Sequence, residues 1–284
     1  MTGGVTIGRA GRARRVGPRW TLVVLAASGL LAGACGTGSG SAQGGASAAT
    51  PAPPVSSPAS PTTAPSVSPA ASPSAAAGSL VAGRYQPLWP FADEGQVREW
   101  QESYRSGGHQ PWHLDAAQTA LSFTRGFLGF KGVDQVIERE VTGAHARVSV
   151  GIRAEGGGRP GIAAVIHLVR FGAGAQAPWE VVGTDDTTFS LTTPRYGALV
   201  SSPVKVGGRI TGVDERVRVR VRGTGSAGPL GERCCVSAGG DDAPWSTTVT
   251  FRAAPGRTLT LVASTGGHVA EVERFAVTGV RVAP

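Results

Sequence analysis

The sequence predicts a disordered N-terminal tether carrying an α+β domain and then an all-β domain, and three observations lead there. Residues 36 to 80 are almost wholly Ala, Pro, Ser, Gly and Thr; the next stretch holds two capped helical patterns and then short apolar runs; the last third is strand-like throughout. Helices followed by consecutive strands with short turns make an antiparallel sheet with helices packed on one face. Regularly spaced strands on their own make a sandwich.

The N-terminus has its own logic. A basic start (Arg9, Arg12, Arg14, Arg15, Arg19) precedes an apolar run from Thr21 to Leu31 and the small residues Ala32, Gly33 and Ala34. That is the order of a signal peptide. The run is short of the roughly 20 apolar residues a spanning helix needs, so it reads as a cleaved segment. Leu31-Ala32-Gly33-Ala34-Cys35 resembles the bacterial lipobox. The resemblance implies removal of residues 1–34 and lipidation of Cys35, which would hold the chain on the extracytoplasmic face of the cell membrane. Several acyl chains at about 0.8 kcal/mol per buried methylene anchor durably where a single chain does not. Arg14-Arg15 leaves the export route open.

The formal charge of +8 invites a nucleic-acid reading. Five of the positive charges and no acidic residue sit in the leader, so the remainder has 22 basic against 19 acidic side chains. A net charge of +3 outside the cytosol argues against nucleic acid as partner. Lys131 and Lys205 are the only lysines and asparagine is absent, the usage of a GC-rich genome.

Residues 35–82 form the linker, because Ala, Pro, Ser and Gly bury too little apolar surface to offset their ordering entropy. As a flexible coil it averages roughly 35 to 40 Å end to end, and a polyproline-like form approaches about 140 Å. The α+β domain is expected over 83–193. Asp93 with Gln96, and Asp115 with Gln118, are capping patterns. The first helix should run to about Arg105 and stop at Gly107-Gly108, presenting Val97, Trp100 and Tyr104. The second should run to about Leu128 and bury Ala117, Ala120, Leu121, Thr124, Phe127 and Leu128. Strands follow at Gln135–Val141, Ala146–Arg153, Ile162–Phe171, Trp179–Gly183 and Thr187–Thr192. Element order resembles a cystatin-like or nuclear-transport-factor-like fold.

The all-β domain is expected over 194–284, with strands at Val204–Ile210, Arg216–Arg222, Gly231–Val236, Trp245–Phe251, Thr258–Ala263 and Glu273–Val282. Its inward residues are Val204, Val206, Ile210, Val217, Val219, Val221, Trp245, Val249, Phe251, Leu259 and Leu261. In the last strand Phe275 and Val277 keep one phase while Val280 and Val282 take the other, which a bulge at Thr278-Gly279 would reconcile. Through Ser202-Pro203-Val204-Lys205-Val206, the Val217-Val219-Val221 strand, Phe251 and Leu259-Leu261, residues 195–283 resemble the immunoglobulin-like domain of bacterial spore-germination and other surface lipoproteins. Trp179, Asp185-Asp186 and Pro194-Arg195-Tyr196 resemble a stretch of actinobacterial lipoproteins. Both resemblances imply a surface-exposed binding or structural module and carry no catalytic residues.

Several residues qualify as sites. Arg216, Arg218, Arg220 and Arg222 alternate with valines, which places four guanidiniums about 6.6 Å apart on one sheet face. They form either a ladder for an anionic polymer, lipid head group or acidic protein, or a solvated face neutralised by Glu271, Glu273 or Asp214. Cys234 and Cys235 have only each other once Cys35 is lipidated. Adjacent Cα atoms are about 3.8 Å apart across a trans peptide, below the usual disulfide range, while an oxidising compartment favours a bond. A vicinal disulfide and free or intermolecular thiols both stay open.

His109, His113 and Asp115 are of metal-binding type but do not share a helical face, and Asp115 serves as a cap, so no metal is assigned. Asp185-Asp186 and Asp241-Asp242 read as turn aspartates. No nucleophile elbow, zinc motif or phosphate loop occurs, and Ser264 with His268 lacks a placed acid. No catalytic residue and no cofactor is therefore assigned.

The expectation is a non-enzymatic, membrane-anchored module binding a protein or cell-wall polymer through its immunoglobulin-like domain. The alternative is a small-ligand carrier or enzyme in the α+β domain. A deep pocket lined by His113, Asp115 or His167 favours the alternative; a filled sheet–helix interface favours the module.

Overall fold

The computed structural model describes residues 84–153, 158–268 and 270–284. The leader, Cys35 and the linker lie outside the described residues. Helix α1, Glu94–Gly107, starts where Asp93 accepts from Gln96 N at 3.0 Å and ends where Gly108, at φ 71°, returns its N–H to Tyr104 O. A left-handed C-cap of this kind suits glycine because it has no Cβ to clash. A 3-10 turn, Pro111–Leu114, then leads to helix α2, Ala116–Ser122, which Asp115 caps by accepting from Gln118 N at 3.0 Å.

The second helical stretch changes character at its end. Residues Phe123–Phe127 form a π-helical turn, and Leu128 N reaches Phe123 O. Thr124 Oγ1 donates to Ala120 O at 2.8 Å, a side-chain bond that competes with the ordinary ladder. The wider turn leaves the rings of Phe123 and Phe127 stacked 5.5 Å apart. Ala116 and Thr119 are buried here, while Ala117 and Leu121, expected inside, are half-buried.

Four strands follow: β1 (Gln135–Thr142), β2 (His145–Ile152), β3 (Gly161–Arg170) and β4 (Trp179–Asp185), antiparallel in sequential order. The expectation that both helices lie on one face is not met. Ala116, Ala120, Phe123 and Phe127 pack with Val148, Val150, Ile166, Leu168 and Val181. Val97 and Trp100 of α1 pack instead with Val169, Phe171 and Val182. Successive strand residues face opposite ways, so the helices take opposite faces and β3 and β4 are covered on both.

Residues Thr187–Thr192, expected as a fifth strand of this sheet, belong elsewhere. Phe189 forms a bridge with Ile210 and Thr193 with Gly207. Beyond them are β5 (Leu199–Val200), β6 (Val204–Arg222), β7 (Gly231–Val249), β8 (Thr258–Thr265) and β9 (Arg274–Val282), in the order β5-β9-β8-β6-β7. Two pairs of expected strands are each one long strand. The turn expected between Ile210 and Arg216 is absorbed as register shifts in the β6–β7 pairing, with Asp214 at φ 52°.

All eleven expected inward residues join one buried cluster. The bulge at Thr278-Gly279 is absent, since β8 and β9 pair without a break from Thr258↔Arg281 to Thr265↔Arg274. The phase change has another cause. Phe275 and Val277 point into the cluster shared with α2, while Ala276, Val280 and Val282 point into the other. Strands β8 and β9 are thus buried on both faces.

The strip Tyr85–Phe91 runs between the two sheets. Leu88 N donates to Val181 O at 3.0 Å and Val181 N donates to Trp89 O at 2.7 Å, which continues the first sheet beyond β4. On the other side Thr224 Oγ1 donates to Leu88 O, and Tyr196 accepts from Gln86 N and donates to Gln86 O. Phe91 N donates to the fully buried Glu180 at 3.1 Å.

Burial pushes the Glu180 carboxyl well above its ordinary range, against the pull of that N–H. The folded protein therefore keeps Glu180 protonated where the unfolded chain ionises it. Stability tied to this group is complete below about pH 4.5 and is lost as pH rises toward the folded value. Glu180→Gln should accordingly melt at a higher temperature than the native protein at pH 8, with the gap closing toward pH 4.5. A native protein that melts higher than the variant at pH 8 contradicts this.

Candidate functional site

The polar stripe of α1 at Gln96, Glu99 and Ser103 recurs at three- and four-residue spacing and so lines one side of the helix. It forms one wall of an open hollow of about 600 Å³. Trp89, from the strip between the sheets, and Trp112, from the 3-10 turn, form the facing wall. Their rings stack at 5.5 Å and 18° and are both half-buried. The floor is Phe91, Trp100 and His113, and His109 and Gln110 stand at the rim. Phe91 and Trp100 each lie within about a ring's width of His113, at 4.9 and 5.1 Å between centroids.

The floor holds two polar atoms with nothing to bond. Trp100 Nε1 and His113 Nδ1 are both buried without a hydrogen-bond partner. Gln110 sits at φ 55°, a left-handed position sparsely used by residues other than glycine, and from there its Oε1 lies 3.0 Å from His113 Nε2. An amide oxygen only accepts, so Nε2 carries the imidazole proton and Nδ1 is left a bare acceptor. Burial lowers the pKa of His113 to about 4 and keeps it neutral at physiological pH. Both atoms lie beneath the surface of the hollow, which is lined by aromatic side chains and by the polar stripe of α1.

The residues picked out in the sequence are dispersed. His113 is in the hollow floor and His109 at its rim, whereas Asp115 caps α2 and pairs with Arg139 at 3.4 Å. Asp185 pairs with Arg147 at 2.5 Å, and Asp242 pairs with Arg209 at 2.7 Å. Among the described residues no group of three His, Cys, Asp or Glu is placed to hold a metal ion. His268 Nε2 lies 3.1 Å from Asp214 O, away from any serine hydroxyl bond.

The arginine alternation does not give four equivalent cations. Arg218 and Arg220 both pair with Glu232 of β7. Arg222 lies over the Phe127 ring and Arg220 over Phe130, at 4.8 and 5.9 Å, so these two cover the helical segment. Desolvation, then the charge of Arg220, lowers the Arg222 pKa. Arg216 alone of the four is exposed. Cys234 and Cys235 are exposed on β7, with their Cα atoms 3.0 Å apart and their sulfurs joined as a vicinal disulfide.

Sequence reasoning missed Trp89, Trp112, Gln110 and Trp100 as site residues. The signal available was five aromatic residues and two histidines within 89–113, but nothing local says that they converge. It named His167 but not the polar cluster that the residue joins on the face of the first sheet. There His145 Nδ1 and His167 Nε2 lie 3.1 Å apart beneath the edge of Tyr85. Desolvation lowers the His167 pKa.

No family model matches the chain, and neither curated proteins nor solved structures provide a match. Among the described residues no helix is long and apolar enough to cross a membrane.

The lowered pKa of His113 makes a pH prediction. The unfolded imidazole takes up a proton below about pH 6.5 and the folded one only near 4, so stability tied to this group falls as pH drops through that window. His113→Phe keeps a ring in the floor and removes the titration. Thermal melts between pH 7 and 4.5 should lose less temperature in the variant than in the native protein; parallel losses in both would contradict the assignment.

Proposed function

We propose that the chain is an extracytoplasmic lipoprotein, held on the membrane through lipidated Cys35, whose folded part is a non-enzymatic binding module at the cell envelope. The binding surface is the aromatic hollow. The observation that carries this reading is the hollow of about 600 Å³ itself, walled by the half-buried Trp89 and Trp112 on one side and by the polar stripe of α1 on the other. Pockets of this size with apolar walls and a few convergent polar groups are the usual form of ligand sites.

The lipobox resemblance at Leu31–Cys35 and the Ala/Pro/Ser-rich linker support the address and reach. The buried cluster of alternating residues on β6, β8 and β9 supports an immunoglobulin-like β-sandwich for the C-terminal part, and the helices on a four-stranded sheet support a cystatin-like or nuclear-transport-factor-like relation for the rest. On this reading the hollow, rather than the arginine face, meets the partner, because Glu232 and the Phe rings already engage three of the four arginines.

The filled interface between α2 and the first sheet favours a module over a carrier that encloses its ligand. For catalysis the hollow would need a base aligned with a nucleophile. His113 has its single ring hydrogen bond to an amide instead.

Expression of the full chain with Cys35→Ser tests the anchor. The native protein should partition with membranes and incorporate labelled fatty acid, and the variant should do neither. Incorporation that survives the substitution would refute the assignment of Cys35.

A further inference from the structure

We infer that Cys234–Cys235 is a thiol–disulfide exchange site open to small anionic thiols, a stoichiometric modification site separate from the aromatic hollow. A disulfide ordinarily stabilises a fold by closing a loop of chain, and the gain grows with the length of that loop. This one joins neighbours in sequence and closes no such loop, so cross-linking does not account for it. Nor does it belong to a core. Both cysteines are exposed, and β7 lies at the end of its sheet with β6 on one side only. Exposed disulfides are the labile ones, because exchange needs a thiolate to reach a sulfur.

The surroundings select the thiol. Val217 pairs with Val236 and Val219 with Arg233, so the two cysteines bulge opposite the single residue Arg218. Cys235 lines one groove of about 250 Å³ with Arg216, Arg218 and Arg220, and Glu271 is the carboxylate among the described lining residues. Glu232 engages Arg218 and Arg220, whereas Arg216 and Arg233, the residue before Cys234, are exposed. Four guanidiniums against two carboxylates leave a positive field at the sulfurs. That field draws in an anionic thiol and favours a thiolate leaving from Cys235.

The exchange balances in two steps. The incoming thiolate attacks Cys234 Sγ, the S–S bond breaks, and its electron pair leaves on Cys235 Sγ, giving a mixed disulfide and a thiolate beside the guanidiniums. A second thiolate attacks the small-molecule sulfur of the mixed disulfide and releases Cys234 as a thiolate. Both cysteines end reduced, the two small thiols end as one symmetrical disulfide, and the protons the small thiols lost are taken up by the cysteines.

The test uses the full chain carrying Cys35→Ser, which leaves Cys234 and Cys235 as its only cysteines. Mercaptoethanesulfonate, mercaptoethanol and cysteamine supply an anionic, a neutral and a cationic thiol, each rate being normalised to that thiol's rate on a neutral small-molecule disulfide. Thiols released on the protein are trapped by alkylation and counted by intact mass. The protein purified in air should show no alkylatable thiol, then two after reduction, with its melting temperature little changed. At low salt the anionic thiol should react roughly fivefold faster than the cationic one, and added salt or Arg216→Ala should narrow that gap. Free thiols in the purified protein, or a bond reduced only after unfolding, overturn the exchange site. A large fall in melting temperature on reduction overturns it as well, since the bond then serves the fold. Equal rates for the three thiols, unmoved by salt and by Arg216→Ala, overturn the anionic class.

Discussion

Two backbone hydrogen bonds at Val181, one from Leu88 N and one to Trp89 O, hold the strip Tyr85–Phe91 against the first sheet. The same few residues reach the turns that flank the second sheet, through Thr224 on Leu88 O and through Tyr196 on both polar groups of Gln86. Leu88 is 1% exposed and lies beside Gly279 of β9, where a Cβ would come within 2.8 Å of its side chain. That glycine is therefore demanded by the strip's close approach. Thr184 adds a direct tie, since its hydroxyl accepts from Val277 N at 2.9 Å. Remove the strip and the two sheets keep only part of their common edge.

Burial on both faces follows from this arrangement. Phe275 and Val277 of β9, with Val262 of β8, complete the cluster that α2 makes with the first sheet. The opposite face of the same strands lines the other cluster. The arginine alternation on β6 belongs to this junction as well. Arg220 and Arg222 lie over Phe130 and Phe127, so their stems and guanidiniums shield aromatic surface that the sheet does not cover. The hollow depends on the strip too, because Trp89 and Phe91 are part of it and are fixed by Val181 and Glu180.

Much of this was legible in local chemistry. Asp93 and Asp115 accept from the backbone N–H three residues on, as capping patterns require, and the alternating Val217, Val219 and Val221 point into a core as their period demands. What was illegible is non-local. Gln86-Pro87-Leu88-Trp89-Pro90 has two prolines and no period, yet it pairs with a strand some 90 residues later. The two phases of β9 read as a bulge because a single buried face was assumed. Glu180 shares a strand face with Val182, and α1 and the strip cover that face and leave the carboxyl fully buried. The hollow draws its atoms from a strip, a helix and a turn whose convergence only the fold creates.

The central claim is that the strip joins the two sheets into one cooperative structure. Native-state hydrogen exchange on Leu88→Ala measures this most directly, since emptying a fully buried leucine site costs roughly 2–5 kcal/mol. The account predicts that amides of β4 and of β8–β9 lose protection together and by the same amount. Loss confined to β4 and its neighbours, with β8 and β9 unchanged, would contradict it.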